Sequence, residues 1–533
     1  MSTDKINLLW WQEGIIYQVY PRSFQDSNGD GIGDLQGIIK RLDYLEWLGV
    51  TAIWISPIYP SPMIDFGYDI SNYEDIHADF GSLRDFDALV KDVHARKMKL
   101  ILDLVPNHTS ASHPWFQESK LSRDNPKRNW YIWHDGTSDG DVPNNWLSEF
   151  GGSAWQWDEH TQQYYYHAFD KSQPDLNWRN EEVQQAMFNI MRYWLCKGVD
   201  GFRVDVMWHL IKDKLFRDNP PNPDYQTSMA EYHKLLPVHS TDQVEVHDIV
   251  RKMREVLDEF DERMMIGEVY LPIQKLVTYY GLDLKGAHLP FNFQLISLPW
   301  NASAIASALI EYEAALPLGG WPNWVLSNHD KPRIASRAGS DQASVAAVLL
   351  LTLRGTPTLY YGDEICMRDA SIPVNEIQDP RGLNSANKNL TRDPARTPMQ
   401  WDASTNAGFS EHTPWLRIDK HYQTINVALQ RQNKSSILML YKRLIDLRKK
   451  EPAFTIGDFV AVFSDNKIIA YLRQSANRRF LIVLNLSHRP CYYMSSEDIQ
   501  GVVELSTAVE DEGKPVGNVI PIGGDEGMVI RLG

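Results

Sequence analysis

Apolar and polar residues change period along this chain, and the changes divide it into regions. Short apolar runs come first: Ile15–Tyr20, Ala52–Ser56, Lys99–Val105, Gly201–Val206 and Met264–Val269, with Trp324–Ser327 and Thr358–Tyr361 later. Runs this short, bounded by turn residues, predict buried parallel strands. Stretches with helical spacing separate them. Leu35–Leu48 places Ile38, Ile39, Leu42 and Leu45 on one stripe and stops at Gly49. Ser82 with Asp85 forms a capping box, and Leu83, Phe86, Leu89 and Val90 share a face behind it. Glu181–Lys197, Asp248–Glu262 and Ser436–Lys449 are further helices. Strand–helix alternation on this scale predicts an α/β chain folded as a (β/α)8 TIM barrel.

Two regions break the alternation. Residues 107–176 are rich in Trp, Tyr, Asn, Gly and Pro and have little helical period, so they read as an inserted loop-rich domain after strand 3. From 453 to 533, alternating runs such as Phe459–Val462 and Phe480–Leu484 replace helices, which predicts a C-terminal antiparallel β-sandwich domain. The barrel then occupies 1–106 and 177–452.

Composition narrows the function. A net charge of −16 argues against nucleic acid and anionic membrane as partners. Cys196, Cys366 and Cys491 are too few and scattered for a disulfide scaffold or a zinc cluster. No run is long enough to span a bilayer, and the N-terminus lacks a charged-then-apolar signal pattern, so a soluble cytoplasmic protein, monomer or homodimer, is expected.

The segment Asp26-Ser27-Asn28-Gly29-Asp30-Gly31-Ile32-Gly33-Asp34 sets side-chain oxygens at every second residue. That spacing lets Asp26, Asn28, Asp30, Asp34 and the Ile32 carbonyl surround one hard cation, Ca2+ or Mg2+. The calcium helix–loop–helix motif needs a Glu at loop position 12, where this chain has Gly37. The competing reading is an Asn/Gly turn in which Asp34 caps the next helix. Nothing points to an organic cofactor.

The remaining chemistry lies at strand ends. Arg203 and Asp205 are two apart, so in a strand they face the same side, and the arginine can hold the aspartate ionised. Asp103–His108, Glu268 and Asn328-His329-Asp330 end other strands. Carboxyl ends of barrel strands share one rim, so these groups converge there.

Asp103–His108, Gly201–His209, Gly267–Tyr270 and Asn328–Asp330 resemble, in order, the four short motifs of the α-amylase family of glycoside hydrolases. Phe66-Gly67-Tyr68, Gly151–Trp155 and Ala395–Trp401 resemble its α-glucosidase and oligo-1,6-glucosidase branch. The resemblance covers nearly the whole chain. It implies a retaining, exo-acting α-glucosidase working on short oligosaccharides. Asp205 would be the nucleophile, Glu268 the acid/base with a pKa raised by neighbouring carboxylates, and Asp330 the stabiliser of the transition state. It also implies that His108 and His329 bond glucose hydroxyls and that Arg203 orients Asp205. Tyr68 would stack on the sugar, and Phe150 and Phe169 would wall the pocket. Asp65 with Arg396 would close the pocket's far end, Arg392 being a second candidate. Val206, after the nucleophile, leans towards α-1,6 bonds, whereas Met207-Trp208-His209 departs from that branch's usual Ile-Asn. The alternatives are an oligo-1,6-glucosidase, a glucosyl transferase or sucrose isomerase using the same intermediate, and a catalytically inactive sugar-binding relative.

Overall fold

Eight parallel strands carry the alternation into space. The computed structural model describes residues 8–385, 387–475 and 478–533. The strands are β1 (Ile16–Val19), β2 (Ala52–Ile55), β3 (Lys99–Leu104), β4 (Gly201–Val204), β5 (Met264–Gly267), β6 (Leu289–Pro290), β7 (Asn323–Val325) and β8 (Thr356–Tyr360). Their order is β7-β8-β1-β2-β3-β4-β5-β6. Among the described residues, a lone bridge from Asn292 to Trp324 closes the ring between β6 and β7. The fold is therefore the expected barrel. The sixth strand is not visible in the sequence, because two residues ending in proline make no periodic signal.

Period two sorts the strand residues onto two faces. Ile16, Ala52, Trp54, Ile101, Met264, Ile266, Leu289 and Val325 pack together inside the barrel. Their neighbours Tyr17, Ile53, Leu100, Leu102, Phe202 and Met265 join the core beneath the helices. Towards the carboxyl ends the inward positions turn polar: Gln18, Asp103 and Arg203 are fully buried. Such groups are tolerated only when each finds a partner.

Helix Leu83–Ala95 starts as predicted: the Asp85 carboxylate accepts the Ser82 amide at 2.9 Å, while Ser82 Oγ accepts the Asp85 amide at 3.4 Å. The expected Leu35–Leu48 helix is two, Leu35–Lys40 and Leu42–Leu48. Arg41 breaks it at φ −107° and ψ 3°. Its guanidinium donates to Gln25 Oε1 at 2.6 Å and lies 4.1 Å from the Trp401 ring centre.

Between β3 and helix Glu181–Cys196, three short antiparallel strands (Trp133–His134, Trp155–Asp158, Gln163–Tyr166) surround an aromatic core of Trp146, Trp155 and Tyr166. After helix Ile437–Lys450, a six-stranded antiparallel sheet packs on a two-stranded one through Ile468, Tyr493, Ile520 and Ile530.

Candidate active site

The charged centre begins with Arg203. Register pairs Asp103 with Arg203 across β3 and β4, so both enter the lumen side by side. Arg203 Nη1 donates to Asp103 Oδ1 at 2.8 Å and to Asp205 Oδ1 at 2.6 Å. Its Nη2 pairs with Glu268 Oε2 at 2.7 Å. One guanidinium thus grips carboxylates from three adjoining strand ends. Burial opposes its charge, but Asp103 and Glu268 hold its pKa well above the ordinary value. Trp54 Nε1 and the Tyr68 hydroxyl both donate to Asp103 Oδ2, at 3.1 and 3.0 Å. Asp103 therefore positions Arg203, a role the sequence reading did not give it.

The chain turns sharply after Asp205. Val206 sits in the left-handed region, φ 36° and ψ 48°. A β-branched residue there costs about 1–3 kcal/mol. The turn aims the Val206 amide at Glu268 Oε2, 2.8 Å away. Gly267 admits Met207 below: a Cβ there would meet its sulfur at 2.8 Å.

Burial pushes the Asp205 carboxyl well above its ordinary value, with Glu268 adding to the rise. Burial also raises Glu268, against the pull of Arg203 and with help from Asp330. Burial, more than the neighbouring carboxylates, is thus the cause of the raised Glu268. Two buried, interacting carboxyls of this kind lose their protons in two steps that belong to the pair.

Asp330 behaves in the opposite way. Its Oδ1 accepts from Arg396 Nη2 at 3.0 Å and from Arg392 Nη1 at 3.3 Å. Despite burial, these cations hold Asp330 well below the usual carboxylate range. His329 adds no charge at neutral pH, because burial pushes its pKa down to about 3. Gln18 Nε2 donates to its Nδ1 at 2.8 Å, which places the ring hydrogen on Nε2, 2.7 Å from the Tyr68 hydroxyl. The Tyr68 and His329 rings stack with 6° between planes.

Tyr68, Asp205, Glu268, His329, Asp330 and Arg392 line a cavity of about 420 Å³ together with Asp65, His108, Phe150 and Phe169, while Arg203 lies outside the lining. That lies within the roughly 300–1,000 Å³ of small-molecule sites. His108 is buried, with a pKa lowered by burial to about 4; its Nδ1 accepts from Asn107 and its Nε2 donates to the Tyr68 carbonyl at 3.0 Å. Phe150 and Phe169 meet edge to face, 5.8 Å between centres. The far end closes differently from expectation. Arg392, not Arg396, bonds Asp65: Arg392 Nη2 lies 2.5 Å from Asp65 Oδ1 and 2.6 Å from Asp379 Oδ1. Arg396 is fully buried beneath the cavity floor, donating to the His329 carbonyl at 2.8 Å and to Asp330. Both arginines lie in one short run, and sequence alone could not say which faces Asp65. Glu149, Tyr232, Tyr270, Lys331 and Arg381 also line the cavity and were not anticipated. Only Tyr270 and Lys331, within two residues of Glu268 and one of Asp330, had a sequence signal that could have found them.

The Asp26–Asp34 loop lies apart from the cavity. Asp26 Oδ1 accepts the Asn28 and Gly29 amides, and its Oδ2 accepts the Gly31 amide and the Ser410 hydroxyl. Asp30 Oδ1 accepts the Ile32 amide, and Asp34 caps helix Leu35–Lys40 by accepting the Gly37 amide. Among the described residues no three His, Cys, Asp or Glu side chains are grouped to hold a metal.

Comparison with known proteins gives consistent results. The model of the α-amylase catalytic domain matches residues 18–457. An α-glucosidase of Apis mellifera is 43% identical over 89% of this chain and 85% of its own. An oligo-1,6-glucosidase of Bacillus cereus is 39% identical over 98% of this chain and 99% of its own. Among solved structures, an α-glucosyl transfer enzyme superposes with a TM-score of 0.94 at 36% identity, covering 99% of this chain and 100% of its own. An isomaltulose synthase from Klebsiella sp. LX3 superposes at 0.91 with 34% identity, over 99% and 100%.

Proposed function

The chain belongs to the α-amylase family of glycoside hydrolases, and from that premise we propose that it is an exo-acting α-glucosidase that retains anomeric configuration. The observation that carries the mechanism is the single guanidinium holding Asp205 and Glu268. Carboxyls gripped by the two terminal nitrogens of one arginine belong with the roughly 5 Å spacing of a double displacement, not with the wider spacing that leaves room for water. Asp205 attacks the anomeric carbon as Glu268 gives its proton to the departing oxygen. Glu268 then takes a proton from water, whose oxygen displaces Asp205. Asp330, kept ionised by two arginines, stabilises the positive charge that develops on the ring. This charge grows towards the transition state, so the interaction favours rate over ground-state binding.

Exo action rests on the Asp65–Arg392–Asp379 cluster at the cavity's end. This buried charge cluster blocks that end, which favours one terminal glucose over a chain running through. Val206 favours α-1,6 bonds, and the glucosyl transfer enzyme and isomaltulose synthase relatives show that transfer is open to this architecture. Hydrolysis remains our primary reading.

A structural cation at the 26–34 loop is also proposed, on the alternation of oxygens from Asp26, Asn28, Asp30, Ile32 and Asp34. It would depend on Asn28 and the Ile32 carbonyl as well as carboxylates, and would brace the loop without touching the chemistry. The three cysteines are free, which supports a reducing, cytoplasmic setting. Rates on maltose, isomaltose, trehalose, sucrose and soluble starch, with the anomer of the released glucose read by NMR, test the proposal. A first-formed β-glucose product would overturn retention, and starch turned over best would overturn exo action.

A further inference from the structure

The cavity carries two cations that the mechanism does not use. Lys331 follows Asp330 on the loop after β7, and Arg381 lies in the short helix Pro380–Asn384. Both line the cavity. Arg381 also borders an adjoining hollow of about 250 Å³, shared across Glu149 and Phe150. Neither side chain forms an ion pair with a described residue, and Arg381 Nε is buried without a partner. A buried donor left unmatched is costly, so a ligand atom is the natural partner.

The carboxylates facing Lys331 are Asp330, Glu149 and Glu268. Asp330 is already held by Arg392 and Arg396, and Glu268 by Arg203. Glu149 remains, and burial raises its pKa, which weakens it as a counter-ion. Burial and the nearness of Arg381 together lower the pKa of Lys331. A third, neutral neighbour is His233, lowered by burial and then by Lys331 and Arg381. In a chain of net charge −16, this is a local surplus of positive charge. Lys331 faces Glu268, the group that protonates the departing oxygen, as well as Asp330 and Glu149, and Arg381 continues into the outer hollow. That is the side of the leaving group.

We propose that this site accepts α-glucosides whose leaving group carries an anion, a phosphate or a carboxylate, bound by Lys331 and Arg381. The inference rests on the α-glucosidase reading above and deepens it. Guanidinium and ammonium groups bond such oxygens more strongly than hydroxyls.

The test compares kcat/KM for maltose, for maltose phosphorylated at O6 of its reducing glucose, and for α-glucosyl glycerate. At least one anionic glucoside is expected to exceed maltose by about tenfold, the size of one charge-assisted hydrogen bond; whichever it is identifies the anion. Lys331→Met and Arg381→Gln should each lower the charged-to-neutral ratio about tenfold. Glu149→Gln, which removes a like charge, should raise it. A merely structural role would not move the ratio in opposite directions. Maltose hydrolysed as well as or better than both anionic glucosides by the unmodified protein would overturn the inference and leave the glucosidase reading intact. No turnover of any of the three would instead sink that reading.

Discussion

Removing Asp65 tests how the pocket is closed. In the Asp65→Ala variant, the carboxylate that accepts from Arg392 at 2.5 Å and from Gln173 Nε2 at 3.1 Å is lost. Stripping one partner from a buried ion pair usually costs about 3–5 kcal/mol, because a charge is stranded. Here Arg392 keeps Asp379 at 2.6 Å and Asp330 at 3.3 Å, so nothing is stranded. Burial already outweighs Arg392 and raises the Asp65 carboxyl, so its loss should spare the melting temperature. What disappears is a charged hydrogen-bond partner for the terminal glucose, about 1.5–3 kcal/mol. That predicts a roughly 10- to 150-fold lower kcat/KM on maltose. Soluble starch, which gains room at the opened end, should lose less. Steady-state rates on both substrates, with thermal melts as a control, give the answer. An unchanged maltose-to-starch ratio would refute closure by Asp65 and Arg392.

Asp205→Asn should abolish turnover while the fold, read by circular dichroism, persists; normal activity would reject it as nucleophile. The Asp205–Glu268 pair must hold one proton to work, and burial raises both groups, so kcat/KM should fall as pH climbs through an apparent pKa above the ordinary glutamate value of about 4.3. Glu268→Gln should erase that alkaline limb on an aryl glucoside with a good leaving group; a surviving limb would assign it elsewhere. Chelation should lower the melting temperature more than it alters turnover, and if neither responds, the 26–34 loop is only a turn. Val206→Thr should shift the isomaltose-to-maltose ratio towards maltose by about 1–3 kcal/mol in relative transition-state binding, and identical ratios would remove Val206 from linkage choice.

Much of this is legible in the sequence. Short continuous apolar runs gave seven of the eight barrel strands, since their signal depends only on burial on both faces. Polar residues at the strand ends gave the rim, because strand parity puts Arg203 and Asp205 on one face. The failures have common causes. Leu35–Leu48 looks continuous because Arg41 carries no helix-breaking signature; a tertiary contact with Trp401 accompanies the break. Arg392 precedes and Arg396 ends a single 3-10 turn, Asp393–Arg396, and the turn, not composition, decides which one meets Asp65. Burial, not the neighbouring carboxylates, leads the rise of Glu268's pKa, and sequence shows neighbouring charges but not depth of burial. Lys331 and Glu149 come from two separate loops and Arg381 from a short helix, and nothing periodic links them.

The barrel's ring of hydrogen bonds is uneven, and that has a mechanical result. Between β6 and β7, the lone bridge at Asn292 stands where other neighbours share ladders of two to four residue pairs. Local opening begins where the fewest contacts must break. The cylinder should therefore breathe along this seam first, and the seam runs beneath Tyr270, which stacks on Phe293, and close to the loop bearing Asp330 and Lys331. The Tyr270–Phe293 side of the cavity is thus the first part of the barrel wall to yield, while the arginine-held carboxylates on β3, β4 and β5 stay fixed by full ladders.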